Sequence, residues 1–329
     1  MRALLASILL SIPLALEAAE PTVTLVAVGD MRLDGPVHRV SHAKGWSAFA
    51  APVKHLLHAD ILFGNLECAL TERGIKADKK FNFRAPPGNV AILKELGFDV
   101  VSLANNHVMD YGADGLRDTL TALSSASILA VGAGENRREA AAPVFIGRNG
   151  LTIGFLALTS TLPESMWAGE ETPGVAYSDF KRFPQWVADA KKKCDVLIVS
   201  FHGGTELDLD ANKVQKAVFA KLFASGADVV IGHHPHVLQP LVTAKDAWGI
   251  YSIGNFLMVS PTPGTEWSVI SRLHLSKKGV RAEFTPVVIS GDAVRPGARE
   301  AREQMNLSLD RHGVLSAHPD LFSVSQENK

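Results

Sequence analysis

Three imidazoles crowd the segment Val229-Val230-Ile231-Gly232-His233-His234-Pro235-His236. An apolar run that ends abruptly in histidines reads as a buried strand delivering metal ligands to its carboxyl end, and imidazole is the commonest nitrogen ligand for zinc, manganese and iron. The Pro235 turn can let His234 and His236 converge on one centre or straddle two. The same pattern recurs four more times. Val26-Ala27-Val28-Gly29 ends in Asp30, and Ile61-Leu62-Phe63-Gly64 ends in Asn65-Leu66-Glu67. Val100–Ala104 ends in Asn105-Asn106-His107, and Leu197–Phe201 ends in His202. Ligands of open α/β sheets bind outside the carboxyl ends of the strands, so groups far apart in sequence can meet at one rim. Asp, Glu, Asn and His together suit one or two borderline divalent ions such as manganese, zinc or iron. Each residue alone has an ordinary alternative. Asp30 could cap a turn, Asn105 and Asn106 could serve a turn with positive φ, and a lone His107 or His202 could be a hydrogen-bonded core residue. Five strand ends carrying such residues together favour the metal.

The elements that must position these groups are short apolar runs alternating with amphipathic stretches. Strands are expected at Val23–Val28, Ile61–Gly64, Val100–Ala104, Ile128–Val131, Ile153–Leu158, Val196–Ser200, Val229–Ile231 and Ile250–Ile253. Helices are expected at Trp46–Leu57, Val90–Leu96, Asp114–Leu123, Pro184–Lys193 and Ala211–Ala224. In the last of these, Val214, Val218 and Leu222 recur every four residues ahead of Gly226. This alternation argues an α/β core. After Ser268 the pattern turns to period two over Val269–Leu275 and Val280–Ile289, joined at Lys277-Lys278-Gly279, which reads as an antiparallel hairpin. From Asp292 the chain is polar and weakly periodic, so residues 292–329 are expected as a peripheral helix or tail behind one domain over residues 20–291.

Composition narrows the class. The 329 residues are 47% hydrophobic and 20% charged, and the net charge of -1 gives no electrostatic case for nucleic acid. Residues 1–19 read as a signal peptide: Arg2 precedes an apolar run from Ala3 to Leu16, followed by Ala18 and Ala19. That run is too short to span a bilayer comfortably, so cleavage and a periplasmic or secreted form without a stable membrane span are expected. The two cysteines, Cys68 and Cys194, fall at opposite ends of parallel strands and are expected to be free thiols.

The ordered motifs Gly-Asp30, Gly-Asn65-Leu-Glu67, Asn105-Asn106-His107, His202-Gly-Gly-Thr-Glu206 and Gly-His233-His234-Pro-His236 resemble the CapA family of poly-γ-glutamate capsule biosynthesis proteins. Phe81–Pro87, Asn105–Gly112, Gly232–Pro240 and Tyr251–Phe256 extend the likeness, which spans roughly Thr24 to Phe256. The family sits in the calcineurin-like metallophosphoesterase superfamily. The resemblance therefore implies an α/β sandwich of two mixed β-sheets flanked by helices. It implies that Asp30 and His236 hold one metal and that Asn106, His202 and His234 hold a second, with Glu67 bridging or beside both. Asn65 takes a position often held by aspartate, and Asn105, Glu206 and His233 are further candidates. His107 resembles the histidine that contacts the reacting group, and Asp110 would orient it. Arg84 could pair bidentately with a carboxylate or phosphate, or could make only a structural salt bridge. The chain departs from the pattern at three places. Arg32 stands where the superfamily has the histidine of Asp-x-His, Asn65 removes a carboxylate, and Gly203 replaces a tryptophan usual after His202. A mononuclear site is thus an open alternative.

Three functions follow from the resemblance. The first is an exported metal-dependent hydrolase or transferase acting on an anionic cell-surface polymer like poly-γ-glutamate. The second is a secreted phosphoesterase, and the third a non-catalytic metal-binding accessory working with capsule-assembly proteins.

Overall fold

The computed structural model describes residues 20–325, so the expected signal segment lies outside the described residues. Two mixed sheets face each other. The eight-stranded sheet runs in the order Val294–Pro296, Gly279–Ile289, Trp267–Ser276, Val23–Met31, Ile61–Leu66, Val100–Ser102 and Leu129–Val131, with Phe322–Val324 also paired to Gly279–Ile289. The six-stranded sheet runs Leu241–Ala244, Ala247–Ile250, Val229–His233, Val196–His202, Leu151–Thr159 and Val144–Arg148. The site-bearing strands pair in parallel within each sheet.

Alternation along each strand builds three apolar layers. Val23, Leu25 and Ala27 point between the sheets, while Val26 and Val28 point to the helices Val90–Leu96 and Gly112–Ser125. Ile198 likewise faces the inter-sheet core, and Leu197, Val199 and Phe201 face the helices Phe183–Lys191 and Lys213–Ala224. Burial on both faces is why these strands read as continuous apolar runs. Phe63 of one sheet stacks on Phe155 of the other at 5.7 Å, and His233 follows at 6.3 Å from Phe63. The inter-sheet core therefore runs up to the polar rim. This is the sandwich of two mixed sheets and flanking helices that the resemblance implies.

Several local expectations shift. The Trp46–Leu57 stretch forms a 3-10 helix over Ala48–Leu57, because Pro52 inside it removes an amide donor. In Lys213–Ala224, Val218 and Leu222 are buried but Val214 is 49% exposed. Steps of four overshoot a helical turn by about 40° each, so the row drifts off the buried face, and Phe219 fills the core instead. The strand expected at Ile250–Ile253 ends at Ile250, and the chain from Tyr251 crosses over the strand ends, bridging Ile253 to Leu238 and Asn255 to Asp30. Beyond Asp292 the helix Arg299–Leu309 buries Met305 and Leu309, and two short strands, Val294–Pro296 and Phe322–Val324, add to the sheet. Cys68 and Cys194 are free.

Candidate metal centre

Strand register brings the chemistry together. Asp30 lies opposite Asn65, Asn65 opposite Ser102, and His202 opposite His233. Both sheets deliver their carboxyl ends to one place. His234 and His236 sit in left-handed backbone, at φ 97° and 60°, so the chain after Val229–His233 curls back over the rim instead of leaving it. Gly29 permits the crossing segment to close on Asp30, since a Cβ there would lie 2.0 Å from the Gly254 carbonyl oxygen. The Asp30 amide donates to that oxygen at 3.0 Å.

Glu67 is the centre of the arrangement. It is fully buried, and neither carboxylate oxygen receives a hydrogen bond from a described residue. Its Oε1 is 3.5 Å from His202 Nε2, 3.9 Å from His236 Nε2 and 4.0 Å from His107 Nε2. Two sets of donor atoms, Asp30 with Glu67 and His202, and Glu67 with His234 and His236, each lie within 4.8 Å of one another. Glu67 belongs to both. Asp30 also lies 3.3 Å from His236 Nδ1. A buried carboxylate without donors, facing several imidazoles, is what a divalent cation would complete, and the N/O donor set suits manganese, zinc or iron.

The neighbours orient these groups. Asp30 Oδ1 is 2.9 Å from His233 Nδ1 and accepts from Asn65 Nδ2 at 2.9 Å, and Asp30 Oδ2 accepts from the His234 amide at 3.1 Å. Asn65 Nδ2 also meets His202 Nδ1 at 3.2 Å, and Asn105 Nδ2 donates to Asn65 Oδ1 at 3.1 Å. Asn105 Oδ1 accepts from the His107 and Val108 amides, which fixes the turn after Val100–Ser102. Asn106 Oδ1 lies 2.8 Å from His202 Nε2, and Asn255 Oδ1 lies 2.9 Å from His236 Nδ1. Thus Asn65, Asn105 and His233 sit around the centre, positioning its other members.

Burial sets the charge states. It acts first on His202 and His234, and neighbouring imidazoles add to it, so His202 is held well below its ordinary range and His234 at about 3. Burial also opposes ionisation of Asp30, but the hydrogen bonds to His233 and His236 outweigh it and hold the carboxyl well below its usual range. Burial and then Asp30 push Glu67 up. Burial works against His236 too, yet Glu67 and Asp30 lift it to about 10. Glu67 and His236 therefore compete for one proton. The Glu67 carboxylate has no donor to compensate its loss of water, which favours the proton there, while His236 has Asp30 and Asn255 to donate toward, which favours it on the ring.

His107 stands beside the centre. Burial lowers its pKa despite Asp110, whose Oδ2 lies 2.7 Å from Nδ1. Its ring stacks on Phe83 at 4.0 Å, and the Arg32 guanidinium lies 4.2 Å from the centre of the same Phe83 ring. Arg32 pairs with Asp34. Arg84, the next residue after Phe83, is exposed and turned onto the Tyr111 ring at 4.6 Å, outside the hydrogen-bond set of the centre. Glu206 is exposed in the loop after His202 and reaches Glu67 only through charge repulsion. Sequence reasoning did not single out Lys79, Phe83 or Asn255. The first two lie in a stretch without regular secondary structure, where no periodicity could have flagged them.

Comparison with known proteins adds four findings. The family model described as bacterial capsule synthesis protein PGA_cap matches residues 24–260. The chain is 33% identical over 285 residues to the PGA biosynthesis protein CapA of Bacillus subtilis, covering 85% of this chain and 75% of that one. It is 31% identical over 283 residues to the capsule biosynthesis protein CapA of Bacillus anthracis, covering 83% and 69%. Among solved structures, a 5'-nucleotidase precursor from Thermus thermophilus is similar with a TM-score of 0.48 at 16% identity, covering 90% of this chain and 60% of that one.

Proposed function

The chain belongs to the bacterial capsule synthesis protein family PGA_cap, and from that premise we propose that it is an exported, metal-dependent hydrolase or transferase acting on an anionic cell-surface polymer of the poly-γ-glutamate kind. The observation that carries the reading is Glu67, a fully buried carboxylate with no hydrogen bond from a described residue and with His202, His236 and His107 around it. A structure-only role for such a group would be costly, since an unpaired buried charge is strongly destabilising.

In this reading Asp30, Glu67, His202, His234 and His236 hold one or two divalent ions, and Asn106 stands beside His202. A bound ion lowers the pKa of a coordinated water toward 7 and polarises the bond under attack. The protein's own contribution is orientation. Asn65 and His233 fix the Asp30 carboxylate, Asn255 fixes the His236 ring, and Asp110 holds His107 with Nε2 toward Glu67. His107 then meets the substrate, because it lies beside the ligands and its Nδ1 is already engaged. Export is part of the proposal and rests on Arg2, the apolar run Ala3–Leu16 and the Ala18-Ala19 pair.

Asn65 favours a second reading, a metal-holding accessory of polymer assembly. Its amide nitrogen faces Asp30 and His202, so it adds no negative charge to the centre. One experiment separates the two. Metal analysis of purified protein is combined with turnover assays on γ-glutamyl oligomers and on phosphate esters. Bound metal with γ-glutamyl turnover supports the first reading, metal with no turnover on either class supports the accessory, and protein free of metal removes both. N-terminal sequencing of cell-derived protein tests export: a start near Ala19 or Glu20 is expected, and an intact Met1 in the membrane fraction would refute it.

A further inference from the structure

We propose that Lys79 is a positioning residue: by binding Asp110 and the Asn106 carbonyl it decides which nitrogen of His107 carries the proton, and it pins the 71–83 segment to the rim of the centre. The inference rests on His107 being the group that meets substrate.

Donors and acceptors around the ring decide its tautomer. An ammonium only donates and a carboxylate only accepts. His107 Nδ1 has one of each within reach, Asp110 Oδ2 at 2.7 Å and Lys79 Nζ at 3.3 Å. One ring nitrogen cannot donate to the first and accept from the second at once. Lys79 is already committed elsewhere, to the Asn106 carbonyl oxygen and to Asp110 Oδ1 at 2.5 Å. Its pairing with Oδ1 turns Oδ2 to the ring. Nδ1 therefore holds the hydrogen and donates to Asp110, and the Nε2 lone pair faces Glu67 Oε1 at 4.0 Å. Without Lys79 the buried Oδ1 loses its charged partner, Asp110 is held only through Oδ2 by the Phe83 amide and His107, and the two tautomers become competitive.

The same residue anchors the middle of a segment whose start is held separately, by Thr71 and Arg73 on Asp118. Residues 71–83 contain no helix or strand. From Ala77 onward the ties converge on the turn that carries His107. The Ala77 amide donates to the Asp110 carbonyl oxygen at 2.8 Å, and the Phe83 amide donates to Asp110 Oδ2 at 2.6 Å. Asn82 Nδ2 donates to the Lys79 carbonyl oxygen at 2.9 Å, and the Phe83 ring lies on His107. Gly74, at φ 85°, sits so close to Tyr111 that a Cβ would meet its carbonyl oxygen at 2.1 Å. Lys79 is only 18% exposed, and its ammonium is the one charged link between this segment and Asp110 among the described residues.

The test needs no substrate, so its failure is distinct from failure of the functional reading. Protein with 15N-labelled histidine, exchanged into zinc where a paramagnetic ion is present, is examined by long-range 1H–15N NMR and by limited trypsin digestion. The wild type is expected to show His107 protonated on Nδ1. Lys79→Met should show both tautomers and faster cleavage after Lys76 and Lys80, by about tenfold or more, as local opening becomes easier. Lys79→Arg should restore the single tautomer and the slow cleavage, with metal content equal in all three proteins. If Lys79→Met does not fold, Lys79→Gln serves in its place, keeping a donor but no charge, with the same expected loss. A Lys79→Met or Lys79→Gln protein with the wild-type tautomer, with unchanged cleavage, or with its metal lost would overturn the proposal.

Discussion

Glu67 Oε1 lies 3.5 Å from His202 Nε2, and the carboxylate receives no hydrogen bond from a described residue. Removing a carboxylate from water without a partner costs several kcal/mol, so a cation held here should stabilise the fold. An ion present at 100 times its dissociation constant adds about 2.7 kcal/mol. Chelation should therefore lower the melting temperature, and manganese or zinc should restore it. The double variant His202→Ala, His234→Ala should lose at least one equivalent of metal and most of the shift. A melting temperature indifferent to chelator in the wild type would remove the ground for a metal centre.

Ion binding should also release a proton. His236 is lifted to about 10, chiefly by Glu67 and Asp30 against the pull of burial. A histidine raised in the folded state stabilises the metal-free protein fully below its ordinary pKa near 6.5, and loses that contribution as pH rises through about 10. The metal-free protein should thus weaken between pH 7 and 10, while metal affinity climbs over the same window because the competing proton leaves. Calorimetric titration in buffers of different ionisation enthalpy should give about one proton released per centre at pH 7.5. Zero release would show that the proton does not sit between Glu67 and His236.

Gly29, like Gly232, is a point where two backbones close on each other beside the site. A methyl group there would lie 2.0 Å from the Gly254 carbonyl oxygen, in a contact between backbones that no rotamer can relieve. Gly29→Ala should cost about 1–3 kcal/mol and should displace Asn255 from His236, lowering metal affinity as well. Gly147, on the edge strand Val144–Arg148, has open space where its Cβ would stand, so Gly147→Ala is the control and should stay within about 0.5 kcal/mol of wild type. Equal denaturation midpoints for the two variants would contradict the assignment.

The strand ends were legible because the site-bearing strands are buried on both faces. Apolar runs such as Val26–Val28 and Leu197–Phe201, the second broken only by the buried Ser200, stop where the chain reaches the rim, and the ligand-type residues there, Asp30 and His202, are the ones that meet. What depended on crossing loops was not legible. Asn255 reaches His236 because Gly254 adopts φ 77° and carries the chain across the sheet ends, and a short apolar stretch around it reads equally well as more strand. Lys79 and Phe83 sit in a charged, aperiodic segment whose partner, Asp110, is far off in sequence. Arg84 lay equally beyond the sequence, which left a substrate contact and a structural role both open and gave no sign of its place over Tyr111.

His107 separates catalysis from metal holding. Its Nδ1 is committed to Asp110 at 2.7 Å and its ring is clamped on Phe83, so Nε2 is the atom left to act at the centre. Burial lowers its pKa against the pull of Asp110, which keeps the ring neutral near pH 7 and able to accept a proton there. His107→Ala should leave metal content nearly unchanged and reduce turnover about 100-fold or more, the usual size of a general acid–base contribution. His107→Gln should not recover the rate, because an amide has no basic nitrogen to accept the proton. The accessory reading predicts otherwise, with no turnover in the wild type and polymer binding that survives the substitution. A His107→Ala protein that is stripped of metal, or that turns over a confirmed substrate at the wild-type rate, would end the role assigned to this residue.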